Sequence, residues 1–151
     1  LKDKINFKLF IVGYGKKRNF LLSYINENNL YKKVKIVPYQ TNPYNLIKSS
    51  DIFILTSLYE GLPNVLLEAQ VLKKFIISSN CPTGPREILL NGKAGYLFKV
   101  KDYQILSKLI LKILRNKKIM YKKIEIGYKN LDRFNYELNL NKYYKTVVQH
   151  L

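Results

Sequence analysis

Short apolar runs punctuate the first half of the chain, each closed by a turn residue and each followed by helical spacing. KLFIVG, Lys8 to Gly13, is a continuous β-prone run ended by glycine and predicts a buried parallel strand. From about Arg18 to Asn28, Phe20, Leu21, Tyr24 and Ile25 share one helical face. KVKIVP, Lys33 to Pro38, predicts a second strand stopped by proline, and Asn42–Pro43 start a short helix through Leu46 and Ile47. DIFILTS, Asp51 to Ser57, predicts a third strand. Pro63 opens a helix to about Leu72, and KFIISSN, Lys74 to Asn80, predicts a fourth strand. CPTGPREILLNGKAGYLF then holds a loop, a short helix and a brief strand at Tyr96–Phe98. From Asp102 onward the pattern is helical only. Tyr103, Leu106, Leu109, Ile110, Ile113 and Leu114 form one stripe, and Tyr136, Leu140, Tyr143, Tyr144 and Val147 another.

Strands alternating with helices at these spacings predict a parallel sheet covered on both faces, a Rossmann-like three-layer α/β sandwich ending in several helices. Ligands of such sheets bind in the loops beyond the strands' carboxyl ends. Here those loops are Gly13–Arg18, Pro38–Asn42, Ser57–Asn64 and Asn80–Glu87, which carry the Gly and Pro punctuation of this half.

Within the third loop and its helix, SLYEGLPNVLLEAQ (Ser57 to Gln70) carries two glutamates, Glu60 and Glu68. Pro63 suits the first helical position, where its missing N–H is no loss. The N–H groups of Gly61, Leu62, Asn64 and Val65, with the helix dipole, then make a site for an anion such as phosphate. Gly61 permits close approach of the backbone to a ligand. Glu68 lies five residues past Pro63, about 7–8 Å along the axis, among Val65, Leu66, Leu67, Ala69, Val71 and Leu72. An unpaired carboxylate there is costly and needs donors. Adjacent ribose hydroxyls would serve, with phosphates at the helix start; a neighbouring Lys or a backbone group would serve as well. Glu60 either accepts from hydroxyls of a second sugar or simply complements the helix dipole.

Composition narrows the chemistry. The 151 residues carry 27 Lys+Arg against 10 Asp+Glu, a net charge of +17, which favours anionic partners. One cysteine, Cys81, and one histidine, His150, exclude an internal disulfide, a multi-histidine metal site and a Ser-His-Asp triad within the chain. No secretory leader is recognisable, and no apolar run approaches the roughly 20 residues of a membrane span. The first residue is Leu1 and the chain opens just before a strand, as expected of a piece of a longer polypeptide.

EGLPNVLLE, Glu60 to Glu68, resembles the E-x7-E motif of retaining glycosyltransferases of the GT-B fold, family-4 type. FIVGYG, VKIVPYQTNPYNLIKSSDIFILTS, CPTGPREILLNGKAGYLF and RFNYELNLNKYY follow the order of landmarks in that family's C-terminal, donor-binding domain. The resemblance implies one donor-binding domain over residues 1–151, with the N-terminal acceptor domain and this domain's own first strand lying outside it. It implies that Glu60 is catalytic, contacting the transferred sugar, and that Glu68 holds the ribose. Gly61, Leu62, Pro63 and Asn64 would face sugar and diphosphate, Pro38 and Tyr39 would abut the base, and Gly13 and Gly15 would complete the donor set. A nucleotide-diphosphate sugar is the implied donor, a glycan or lipid-linked molecule the acceptor, and no metal or other cofactor is expected. Three departures stand out: Pro38 replaces the family's usual glycine, Tyr136 stands where tryptophan is common, and the Arg and Lys that grip the diphosphate belong to the missing part. The fragment is therefore expected to bind donor weakly and to be inactive alone.

Other features weigh less. GYGKKR, Gly13 to Arg18, begins like a dinucleotide fingerprint, but Arg18 holds the third glycine's place. Lys16, Lys17 and Arg18 fit either phosphate contact or a solvated turn. Arg86 and Glu87 sit at the same edge. The lone cysteine fits a reducing compartment such as the cytoplasm, and the resemblance implies action on lipid-linked acceptors at the inner face of the cytoplasmic membrane, where the basic stretch Lys117, Lys118, Lys122 and Lys123 would either hold the protein or serve solubility alone. The alternatives are a basic nucleic-acid-binding module or a non-catalytic domain retaining the fold. Against the first, the cations do not interleave with aromatics in any recognised motif, and no nucleic-acid partner is expected.

Overall fold

The structure, a computed structural model, describes residue 1 and residues 3–149, so His150 lies outside the described residues. The chain forms two compact units, Leu1–Pro43 and Tyr44–Leu151. In the first, β1 (Leu9–Val12) and β2 (Val34–Val37) pair in parallel, Leu9 opposite Val34 and Val12 opposite Val37. Parallel neighbours need a crossover, which α1 (Arg18–Glu27) supplies. β1 was expected to be buried; instead Leu9, Phe10 and Val12 are 38%, 46% and 43% exposed. The run is apolar enough to be covered, but among the described residues β1 pairs along one edge only.

The second unit runs α2 (Tyr44–Ser49), β3 (Ile52–Leu55), α3 (Asn64–Val71), β4 (Phe75–Ser79), α4 (Pro85–Ile88), a 3-10 turn at Leu90–Gly92 and β5 (Tyr96–Phe98). Then follow α5 (Tyr103–Leu114), α6 (Lys117–Lys129), a second 3-10 turn at Leu131–Phe134 and α7 (Tyr136–Val148). Its sheet has the order β3-β4-β5, all parallel, with Ile52 opposite Phe75 and Ile77 opposite Tyr96. The central strand β4 is inaccessible along its whole length. Ile76 packs with Ile47 of α2, Leu66 and Ala69 of α3, Ile88 of α4 and Leu89 into one core. Each large side chain so buried stabilises by about 1.5–3 kcal/mol. That core fixes α3 against β4, and with it the loop that precedes α3.

The later helices are capped by their own sequence. Asp102 accepts from Ile105 N–H at 2.9 Å, Asn116 from Ile119 N–H at 3.1 Å and Asn135 from Leu138 N–H at 3.0 Å. α6 packs on α3 and β4. The contact is close at Gly127, where a Cβ would lie 2.8 Å from Gln70 Nε2.

Candidate functional site

Helix α3 begins at Asn64, so Pro63 is the cap (φ −72°, ψ 94°) and not the first helical residue as expected. Leu66 N–H donates to the Pro63 carbonyl at 2.9 Å. No side chain caps α3, so the positive end of its dipole is left to solvent or a ligand. At Gly61 an added Cβ would meet nothing within 4 Å, which leaves that backbone approachable.

Glu68 is half-buried, not enclosed as the surrounding apolar residues suggested. The inner face of α3 is Leu66, Ala69 and Gln70, and Glu68 lies beside that face. Asn64, Leu67, Glu68, Val71 and Leu72, with Tyr44 of α2, line a hollow of about 410 Å³. The hollow thus runs from the first residue of α3 to its C-terminal cap, with a carboxylate midway. Among the described residues the ion pair found is Lys129–Glu125 at 3.2 Å, and no cation holds Glu68.

Two loops meet at Glu60. The Ser57 hydroxyl donates to Glu60 Oε1 at 2.6 Å. The Ser57 carbonyl accepts from Ser79 Oγ at 2.7 Å, at the buried end of β4. The Thr83 hydroxyl donates to the Glu60 carbonyl. Thr83 holds φ 59°, an uncommon state for a β-branched residue, and Gly84 follows at φ 71°, where it packs against the Gly61 carbonyl and the Pro63 ring. Arg86, on α4, donates to Asn80 Oδ1 at 3.2 Å across the base of the same loop. The sequence reading marked Glu60, Gly61 and Pro63 but not Ser57, Ser79, Thr83 or Tyr44. Hydroxyl residues are common in loops, and only the adjacency of two loops distinguishes these.

Leu62, between Gly61 and Pro63, is exposed; Gly13, Gly15, Pro38 and Tyr39 lie in the first unit. Gly13 follows β1 and donates its N–H to the Val37 carbonyl at 3.0 Å. Tyr14 and Tyr39 meet edge to face, centroids 6.1 Å apart. The carbonyls of Pro38 and Tyr39 both accept from the Gln40 side-chain amide, at 3.1 and 3.2 Å. Gly15 has open space where a Cβ would sit.

The basic stretch divides. Lys123 donates to the carbonyls of Gly92 and, at 3.2 Å, Gly95, with its ammonium 5.0 Å from the Tyr96 ring centroid. Burial, then repulsion from Lys112 and Lys122, lowers its pKa. Lys123 therefore ties α6 to the turn before β5, in contrast to the surface role expected of it. A second hollow, about 470 Å³, is lined by Lys108, Leu111, Lys112, Arg115 and Asn116. It offers cations but no carboxylate to accept from sugar hydroxyls. Among the described residues no group of three or more His, Cys, Asp or Glu is placed to hold a metal ion, and no helix is long and apolar enough to cross a membrane.

The family model described as Glycosyl transferases group 1 matches residues 1–130. An uncharacterized glycosyltransferase of Methanocaldococcus jannaschii is 43% identical over 108 residues, 68% of this chain and 26% of its own length. An N-acetylgalactosamine-N,N'-diacetylbacillosaminyl-diphospho-undecaprenol 4-alpha-N-acetylgalactosaminyltransferase of Campylobacter jejuni is 31% identical over 99 residues, 66% of this chain and 27% of its own. The chain thus spans about a quarter of the length of these curated relatives. Among solved structures, a variant of S. aureus TarM in complex with fondaparinux, alpha-GlcNAc-glycerol and UDP aligns at TM-score 0.82 and 23% identity, over 91% of this chain and 28% of that one. Anabaena HepE in complex with UDP aligns at TM-score 0.81 and 16% identity, over 96% and 41%.

Proposed function

The chain belongs to the group 1 glycosyl transferases, with the Rossmann-like α/β fold of a GT-B C-terminal domain, and on that premise we propose that it binds the donor, a nucleotide-diphosphate sugar, for retaining transfer to a glycan or lipid-linked acceptor. The observation that carries the reading is Glu68 on the wall of a 410 Å³ hollow that begins at the uncapped start of α3. The leaving diphosphate takes the amino end of α3, where N–H groups and the dipole complement its charge. Glu68, about a turn and a half further on, accepts from the ribose hydroxyls. Glu60 contacts hydroxyls of the sugar being transferred. Stabilising the departing charge by fixed dipoles lowers the barrier without reorganisation. A relative whose name specifies a diphospho-undecaprenol acceptor supports the acceptor class, and UDP in the aligned structures supports the donor class. Transfer itself needs polypeptide beyond these residues, since the matched segment covers only 26–27% of each of these curated relatives.

The test is a thermal-shift and calorimetric panel of UDP, GDP and ADP with their sugars, run on wild type and Glu68→Gln beside an assay of sugar transfer. The expected result is a shift with one nucleotide, no turnover by the chain alone, and loss of the shift in a Glu68→Gln variant that still melts cooperatively. Undiminished nucleotide binding by that variant would remove the ribose assignment, and turnover by the chain alone would remove the requirement for further polypeptide.

A further inference from the structure

Hydrogen bonds from two loops hold the Glu60 carboxylate and its backbone. Glu60 sits in a loop with no regular backbone pairing, and a free glutamate there would sample several rotamers. Ser57 removes that freedom by donating to Oε1 at 2.6 Å, the short distance of a charge-assisted bond. Oε2 and the remaining lone pairs are then left to accept from a ligand. Ser57 is itself fixed: Ser79, fully buried at the end of β4, donates to its carbonyl at 2.7 Å. Thr83 fixes the other end by donating to the Glu60 carbonyl. The end of β4 and the loop after it therefore hold the loop after β3 on both sides of the acid.

We propose that Ser57 is a positioning residue for sugar recognition, orienting Glu60 so that one carboxylate oxygen is engaged internally and the other meets the hydroxyls of the donor's sugar. This rests on the donor reading above and assigns discrimination between a nucleotide sugar and its bare nucleoside diphosphate to the Ser57–Glu60 pair. Glu68 and α3 bind the part common to both ligands, so that affinity does not depend on Ser57. A residue of merely structural importance would weaken both ligands together.

The experiment is calorimetry on the 151-residue chain with whichever of UDP, GDP or ADP binds, and with its hexose conjugate, using wild type, Ser57→Ala and Ser57→Thr. Ser57→Ala is expected to bind the nucleoside diphosphate within twofold of wild type and the nucleotide sugar about three- to tenfold more weakly, the net value of one hydrogen bond. Ser57→Thr, which restores a hydroxyl, recovers most of the loss. If Ser57→Ala melts well below wild type, Ser57→Cys, of similar volume but with a weak donor, takes its place. Equal weakening of both ligands, no weakening of either, or a threonine variant no better than alanine overturns the proposal while the donor reading stands. Wild type that binds no nucleoside diphosphate brings down that reading, and this inference with it.

Discussion

Gly84→Ala tests the contact between the two loops, because Gly84 is where the chain behind β4 lies against the backbone leading into α3. Its φ of 71° and ψ of −71° lie in a region that L side chains rarely adopt, a strain of about 1–3 kcal/mol for a residue with a Cβ. The added methyl would also collide with the Gly61 carbonyl and the Pro63 ring. The loop must then give by on the order of 1 Å, since carbon contacts are optimal near 3.5–4.0 Å. Gly92→Ala separates the two effects, because Gly92 has φ 88° but nothing within 4 Å of an added Cβ. Both variants are expected to lose about 1–3 kcal/mol to backbone strain, or roughly 2–12 °C in Tm at about 2–4 °C per kcal/mol for a domain of this size. Only Gly84→Ala should also lose nucleotide-sugar affinity, by about tenfold, the net value of one or two hydrogen bonds from a misplaced Glu60. Melting curves and calorimetry on the two variants read this directly. A Gly84→Ala protein that melts and binds like wild type would show that the loops do not touch. Equal binding losses in both variants would show that strain, not collision, is responsible.

Two further outcomes follow from the same packing. Lys123→Met leaves the Gly92 and Gly95 carbonyls without their ammonium donor and should cost about 1 kcal/mol by chemical denaturation. Because burial and then Lys112 and Lys122 lower the folded-state pKa of Lys123 below its ordinary 10.5, the unfolded chain binds more protons in that alkaline window. Stability contributed by Lys123 therefore rises with pH there, and the gap between wild type and Lys123→Met should widen toward pH 10; a gap that narrows refutes the sign. Leu66→Ala removes a fully buried side chain at the junction of α3 and β4 and should cost about 2–5 kcal/mol by urea denaturation, while a loss below 1 kcal/mol would mean that the core closes around the gap.

The sequence made β3, β4 and α3 readable for a physical reason: a strand covered on both faces is apolar along most of its length, and Gly and Pro mark the turn into the helix. Those constraints are local, and the observed bounds fall within a residue or two of the expected ones at Ile52–Leu55, Phe75–Ser79 and Asn64–Val71. β1 shows the limit of the same logic, because an apolar run records what a strand tolerates against it, not which neighbour is there. α6 was harder to read because lysines dominate Lys117–Lys129 and because its close contact is made by Gly127, which adds nothing to an apolar stripe. Glu68 was located correctly on its helix, but its half-exposure follows from the hollow that Tyr44 and α2 help to form, which no spacing within one helix reveals. The Ser57–Glu60 pair was within reach at three residues' separation. Its meaning was not, because the groups that fix it, Ser79 and Thr83, come from the end of β4 and the loop after it. Short-range patterning therefore locates the acids, while long-range contact decides which way a carboxylate points. On the proposed reading, a carboxylate recognises the donor's sugar only if its oxygens are held, and that recognition would rest on hydroxyls that resemble ordinary loop residues until β3 and β4 bring them together.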